Sequence, residues 1–423
     1  MMKKLMLAVA MVALVAAPSF AAVQNVKVGG DIVTTSAIRS GFDLGSSLPD
    51  SQRINEVLAQ TRVNVSADLT DNVSTMVTLQ NENLWGTNST YNSNVVLSTA
   101  YVTMKEFLYA PLTLTVGRQP LAYGNKLIIG NSGYGAYDGI VSDLTYATGF
   151  DAIKAVLAYE PLTIDIFASR IANGVDAGFS NNTHNNTNLF GVNANYKLGD
   201  KMSTVVEAYA FANVNDNTTN STSRATYVPG LRVSTNPIEG LNVQLEGAYQ
   251  LGRVAGGGVS TINDNRNAFA IQGGLNYALP VMKDLKPVLG AQYTYLSGLS
   301  RADVLAGGAN GKQWNPLYQD QNAGRIFYAL GFDSGVQRLA LSATVNPMKD
   351  VTAAASLTPV WDVTKSGNNN SRYEGSEADL DVTYAYTEDV KFGVSAGYWM
   401  TGKAANQGTQ NASQLLSSVS VLF

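Results

Sequence analysis

The chemistry-bearing residues of this chain are charged side chains set singly into strand-like stretches. In "LTLTVGRQPLAYGNKLIIGN", residues 112–131, Leu112, Leu114 and Val116 alternate with Thr113, Thr115 and Gly117, the period of a strand with two different faces. Arg118 then falls on the apolar parity. A glycine can host a bulge that carries the next side chain to the opposite face, so Gly117 predicts an Arg118 turned away from the apolar side. Metal and nucleophile chemistry have little to draw on. The absence of cysteine excludes disulfides, thiol chemistry and thiolate-bound metals. The one histidine, His184, lies in "SNNTHNNTN" and has no second histidine to share a metal with. "AGGANGKQ", residues 306–313, approaches a phosphate loop but has Ala306 for its first glycine and Gln313 for its Ser or Thr. No cofactor is expected.

The elements that must position these charges read as strands along the whole chain. Leu241, Val243, Leu245 and Tyr249 alternate with Asn242, Gln244 and Glu246. Phe190, Val192, Tyr196 and Leu198 oppose Asn193, Asn195 and Lys197, and Leu380, Val382, Tyr384 and Tyr386 oppose Asp379, Asp381 and Thr383. With 14% charged residues against the usual quarter, and with mean hydropathy of −0.02, the chain is poor in charge yet has no long apolar run after its start. That combination suits strands that are apolar on one face only. At the N-terminus Lys3 and Lys4 precede an apolar run from Leu5 to Ala17, then Ser19-Phe20-Ala21. This is a secretory signal peptide over residues 1–21, leaving 22–423 as one domain. The formal net charge of −4 argues against a nucleic-acid partner.

Connections alternate in length. Tight links at Thr70-Asp71, Ala110-Pro111, Glu160-Pro161, Gly199-Asp200, Glu239-Gly240 and Glu388-Asp389 are separated by long polar stretches such as 173–186, 254–264 and 299–321. Short turns at one rim and long loops at the other describe an all-β, transmembrane antiparallel β-barrel with periplasmic turns and extracellular loops, set in outer-membrane lipid. An even strand number brings both termini to the periplasmic side. Reading "NAGRIFYALGF", residues 322–332, as a strand would make two short links follow in succession. Placed in the outer loop instead, it leaves 18 strands, with 16 as the alternative count. The last strand, "ASQLLSSVSVLF", ends in Phe423, the kind of signal that barrel assembly machinery reads.

If the apolar parity faces lipid, the opposite parity faces the lumen. The pore-lining set is then Lys105, Lys154, Arg62, Arg232, Arg266, Arg338, Asp165, Glu207, Glu246 and Asp381, joined by Arg118 at the mouth. Both signs are present, which suits passage of small polar solutes. The stretch from Pro120 to Gly149 is longer than most connections, and Leu127, Ile128 and Ile129 are too apolar to stay in water. It is expected to fold inward as a constriction loop carrying Tyr123, Asn125 and Lys126.

"GRQPLAYGNKLIIG" resembles the glycine-arginine-glutamine, tyrosine-glycine-aspartate and arginine-leucine-isoleucine run of the alginate-export family of outer-membrane proteins. "GFDAIKAVLAY", residues 149–159, resembles the strand that follows in that family, and "WNPLYQDQNAG", residues 314–324, is similar to its aromatic loop. The resemblance implies a monomeric barrel of 18 strands with a pore lined by Arg and Lys for an acidic polysaccharide. It also implies that Arg118 is a pore-lining base, with Phe150, Asp151 and Lys154 on the following strand. Asn125 stands at the aspartate position of the family run. The function expected is therefore an outer-membrane channel passing polar solutes, sugars or oligosaccharides by passive diffusion, without catalysis. A general diffusion porin of the trimeric type, or a structural surface barrel or adhesin, is the alternative.

Overall fold

The computed structural model describes residues 24–42, 53–86, 95–130, 142–146, 148–172, 185–217, 222–254, 264–299, 310–321, 324–331, 334–366, 371–404 and 410–423. The signal peptide and His184 lie outside the described residues. The strands are β1 (Gln24–Ser40), β2 (Arg53–Thr70), β3 (Val73–Leu84), β4 (Val95–Met104), β5 (Leu112–Gln119) and β6 (Phe150–Tyr159). There follow β7 (Leu162–Ala172), β8 (Asn185–Lys197), β9 (Val205–Asn217), β10 (Thr222–Ile238), β11 (Leu241–Val254) and β12 (Asp264–Ala278). The ring is completed by β13 (Val288–Leu296), β14 (Val336–Met348), β15 (Val351–Ser366), β16 (Ser371–Ala385), β17 (Val390–Thr401) and β18 (Ala412–Leu422).

Each strand pairs antiparallel with its sequence neighbours, and β1 pairs with β18, so one 18-stranded sheet closes on itself. Closure leaves no open edge, which is what a sheet in hydrocarbon requires. The seam runs from Asp31 opposite Leu422 to Ser40 opposite Ser413. Gly30 and Phe423 extend it by exchanging backbone hydrogen bonds of 2.8 and 3.1 Å.

The two faces are inverted relative to a water-soluble domain. Leu245 is 57% exposed while its neighbour Glu246 is 1% exposed, and Ile153 at 55% contrasts with Gln272 at 1%. Outward apolar residues on this scale would be costly in water, at roughly 25 cal/mol per Å², and belong in lipid. The apolar core lies inside the barrel, where residues of the connections pack on inward side chains of the strands. Leu121, Leu127, Ile128, Ile129, Trp314, Ile326 and Phe327 are buried against inward rings of Phe150, Phe167, Tyr209, Phe211 and Trp399. In the stretch around "NAGRIFYALGF", Arg325–Ala329 is a short helix within the connection between β13 and β14. This agrees with the loop placement that even strand parity requires.

Two expected positions need correction. Arg118 does not turn inward. Its pairing with Ala100 continues the β4–β5 register without a shift, although Gly117 has φ of +123°. Thr115 and Gln119 are buried on the inner parity, so Arg118 shares the outer face with the exposed Val116. Lys105 lies in the turn after β4, exposed at the periplasmic rim.

Candidate channel lining

Pro120 ends β5, since it cannot donate to a ladder, and the chain turns into the lumen. Gly124 and Lys126 adopt left-handed backbone, with φ of +59° and +60°. This tight turn aims two successive N–H groups at the wall. Gly124 N–H donates to Glu207 at 3.0 Å, and Asn125 N–H donates to Glu246 at 2.6 Å. Arg232 lies beside them, its Nε donating to the Asn125 side-chain oxygen at 2.6 Å and its Nη1 pairing with Glu207 at 3.5 Å. Tyr209 donates its hydroxyl to Glu246 at 2.7 Å. Two expected lumenal charges, Arg232 and Glu246, thus converge on the expected loop residue Asn125, and a third, Glu207, holds its neighbour Gly124. An Asn at 125 suits this place because it accepts from the arginine without adding a third negative charge.

Tyr123 stacks on Phe167 with centroids 5.4 Å apart and planes 9° apart, and tilts against Phe211 at 5.5 Å. Burial, with the Asp165 and Glu207 carboxylates nearby, pushes its phenol well above the usual value. Lys154 lies on the same inner face, close enough to act electrostatically on Asp165.

A second inward segment from the β13–β14 connection packs on the first. Ile129 and Tyr318 form a parallel bridge, flanked by Gly130 N–H to Tyr318 O at 2.8 Å and Tyr318 N–H to Ile128 O at 3.0 Å. Lys126 Nζ pairs with Asp320 at 2.8 Å, and Gln321 donates to the Asn125 carbonyl at 2.7 Å. Wall amides hold this segment in turn. Gln250 exchanges two bonds with the Asn315 backbone, 2.7 and 2.9 Å, and Gln272 donates to Gln321 at 2.6 Å. Arg266 donates to the Gln313 carbonyl at 3.1 Å, while Arg338 lies over the Phe327 ring at 5.3 Å. Glu377 accepts from the N–H groups of Ile326 and Phe327 at 2.7 and 2.6 Å, and Arg325 reaches Asp381 at 3.1 Å.

The return half of the loop after β5 is fixed to another arc of the wall. Arg39, 2% exposed, holds Asp143 through two bonds of 2.8 and 2.6 Å. Glu82 accepts from Tyr146 N–H and from Gln60, both at 2.7 Å. Arg62, paired with Asp31, covers the Tyr146 ring at 3.9 Å. Burial pushes the Tyr146 phenol up to about 12. One loop is therefore latched to β9–β11 by carboxylates on its outgoing half, and to β1–β3 by an arginine and a carboxylate on its return.

Several of these residues escaped the sequence reading. Arg39 and Glu377 have the parity of Asp31 and Asp379, so strict counting along β1 and β16 would have found them. Gln250, Asp320 and Gln321 carry no comparable signal, because neutral amides and loop acids are ordinary. "GVSAG", residues 393–397, has the spacing of a nucleophile elbow, but it lies within β17 rather than on a strand–turn–helix bend. Among the described residues no group of three or more His, Cys, Asp or Glu is placed to hold a metal ion.

The family model described as alginate export matches residues 27–417. Among solved structures, OccK11 (OpdR) of Pseudomonas aeruginosa superposes with a TM-score of 0.58 at 10% identity, covering 94% of this chain and 96% of that one. OpdL of Pseudomonas aeruginosa gives 0.58 at 11% identity, with 94% and 99% covered. OccAB3 of Acinetobacter baumannii gives 0.57 at 11%, again with 94% and 99% covered. At these identities the likeness is one of fold. No curated protein matches the sequence.

Proposed function

From the premise that this chain belongs to the alginate-export family, we propose that it is a monomeric, passive outer-membrane channel for small polar solutes, including sugars and oligosaccharides. The observation that carries this reading is that the described parts of the loop after β5, residues 120–130 and 142–146, are anchored by charged groups on two separate arcs of the inner wall. A loop fastened in this way narrows the lumen without relying on its own stiffness. Among the described residues, three inward ion pairs keep a charged group open to water, so both signs are presented together. In Lys126–Asp320, Arg325–Asp381 and Arg62–Asp31 at least one partner's side chain stays more than a third exposed. Such pairs offer donors and acceptors together, which favours neutral polar solutes over polyanions.

The reading needs no catalysis: no cysteine and one histidine give a nucleophile little support. Phe423, at the end of the closing strand, is then the residue offered to the barrel assembly machinery. Planar-bilayer recording tests the channel. Stable single conductances, with liposome swelling in neutral sugars, support it, and folded protein that never conducts would sink it. Strong block by anionic oligosaccharides would instead mark a polyanion conduit.

A further inference from the structure

Arg118 is one of three charges set side by side on the outer face. The register places Arg118 opposite Asp151, and Asp151 opposite Arg170. Arg118 grips Asp151 through Nε at 2.7 Å and Nη2 at 2.8 Å, and gives Nη1 to the Leu97 carbonyl at 2.9 Å. Asp151 is thereby neutralised, and the exposed Arg170 has no carboxylate partner among the described residues, which leaves one positive charge over. These residues follow directly on outward apolar ones: Val116 precedes Arg118, Ile153 lies below Asp151, and Ala168 lies below Arg170. At about 3.4 Å per residue and a tilt of roughly 40°, Arg170 stands about 20 Å above Leu162 at the periplasmic turn. That height is within about 5 Å of the top of an apolar band roughly 25 Å tall, within reach of a headgroup and well away from the midplane, where an outward charge costs most.

Beside and below Arg170 the outer wall is hollowed into a groove of about 580 Å³. Ala210 and Ala212 of β9 form its floor, between ridges of Phe190 and Val192 on β8 and Tyr227 on β10. The groove is apolar along its length and opens to lipid, with the uncompensated base at its upper end.

We propose that this outer face is a binding site for a phosphate-bearing glycolipid of the outer leaflet. One acyl chain lies along the β9 groove and the phosphate is held by Arg170, while Arg118 acts as a positioning residue that silences Asp151. A second copy of the chain would also bury the groove, but a copy offers no reason for a base near headgroup height that no described carboxylate pairs with.

Native mass spectrometry of the purified barrel in detergent, titrated with bisphosphorylated lipid A and with its dephosphorylated form, tests this. The phosphorylated lipid should bind and the dephosphorylated form should bind at least tenfold more weakly. Arg170→Gln should weaken lipid A binding about tenfold, the loss of one charge-assisted contact. Ala212→Trp should fill the groove and abolish retention. A heat-modifiable gel shift and unchanged single-channel conductance keep both variants interpretable as folded. Equal binding of the two lipids, or undiminished binding by Arg170→Gln, would overturn the proposal. So would an Ala212→Cys variant that forms disulfide-linked copies in native membranes.

Discussion

Two clusters of the same chemical kind sit on opposite faces of one wall. Arg232, Glu207 and Glu246 point inward from β9–β11, and Arg118, Asp151 and Arg170 point outward from β5–β7. Both pair arginine with carboxylate across neighbouring strands. They differ in what completes their coordination. Inside, loop N–H groups, a phenol and an asparagine amide fill the remaining positions, and the carboxylates are almost fully buried. Outside, among the described residues only the Leu97 carbonyl joins, and Asp151 stays 54% exposed. A buried ion pair is worth little unless the rest of its hydrogen bonds are made. The inner cluster meets that condition by holding the loop, so its integrity and the loop's position are one property.

The largest effect should come from breaking the inner latch. Glu246→Ala leaves the Asn125 N–H and the Tyr209 hydroxyl buried without their acceptor, at about 1–3 kcal/mol each. With Glu207→Ala added, the outgoing half of the loop is freed. Urea unfolding in lipid should show the loss, and single-channel records should become larger and noisier. Unaltered conductance in the double variant would mean that this loop does not set the aperture.

Arg39→Ala attacks the other anchor and strands Asp143, at about 3–5 kcal/mol for a broken buried pair. Arg39→Lys keeps the charge but loses the two-pronged grip, so it should fall between wild type and Ala in both stability and current noise.

A smaller effect separates the faces directly. Lys154→Ala removes a lumenal base and should move the reversal potential toward cation preference. Arg118→Ala, on the outer face, should leave the reversal potential unchanged and cost no more than about 1 kcal/mol, as exposed pairs do. A selectivity shift in Arg118→Ala, with none in Lys154→Ala, would reverse the assignment of faces.

The smallest effect lies outside both clusters, in the β8–β9 turn. Thr204 N–H and hydroxyl, both at 2.7 Å, hold the Asp200 carboxyl below its ordinary range. A lowered folded value means that the carboxylate favours the turn above the unfolded value, and that this support fades as pH falls through the folded one. Asp200→Asn should remove the acid sensitivity of Thr204 amide exchange and leave conductance untouched.

The barrel itself was legible because lipid on one side and water on the other impose a period of two on every strand. Placing residues 322–332 in a loop needed only that rule together with even strand parity. The inward fold of Leu127, Ile128 and Ile129 was legible too, since each contributes roughly 1.5–3 kcal/mol on burial. Arg118 misled for a physical reason. Near the rim an outward charge is cheap, so a charge on the apolar parity needs no bulge to carry it inward. Gly117 adopted an unusual φ without slipping the ladder.

The amino-acid order by itself determined alternation, closure, loop lengths and the inward face of the strands away from the rim, because these follow from local period and from the bilayer. Only the tertiary structure decided who holds whom. Asn125 meets Arg232 across 107 positions and Lys126 meets Asp320 across 194. Such contacts depend on how two long loops share one enclosed space, and nothing periodic in the chain records that packing.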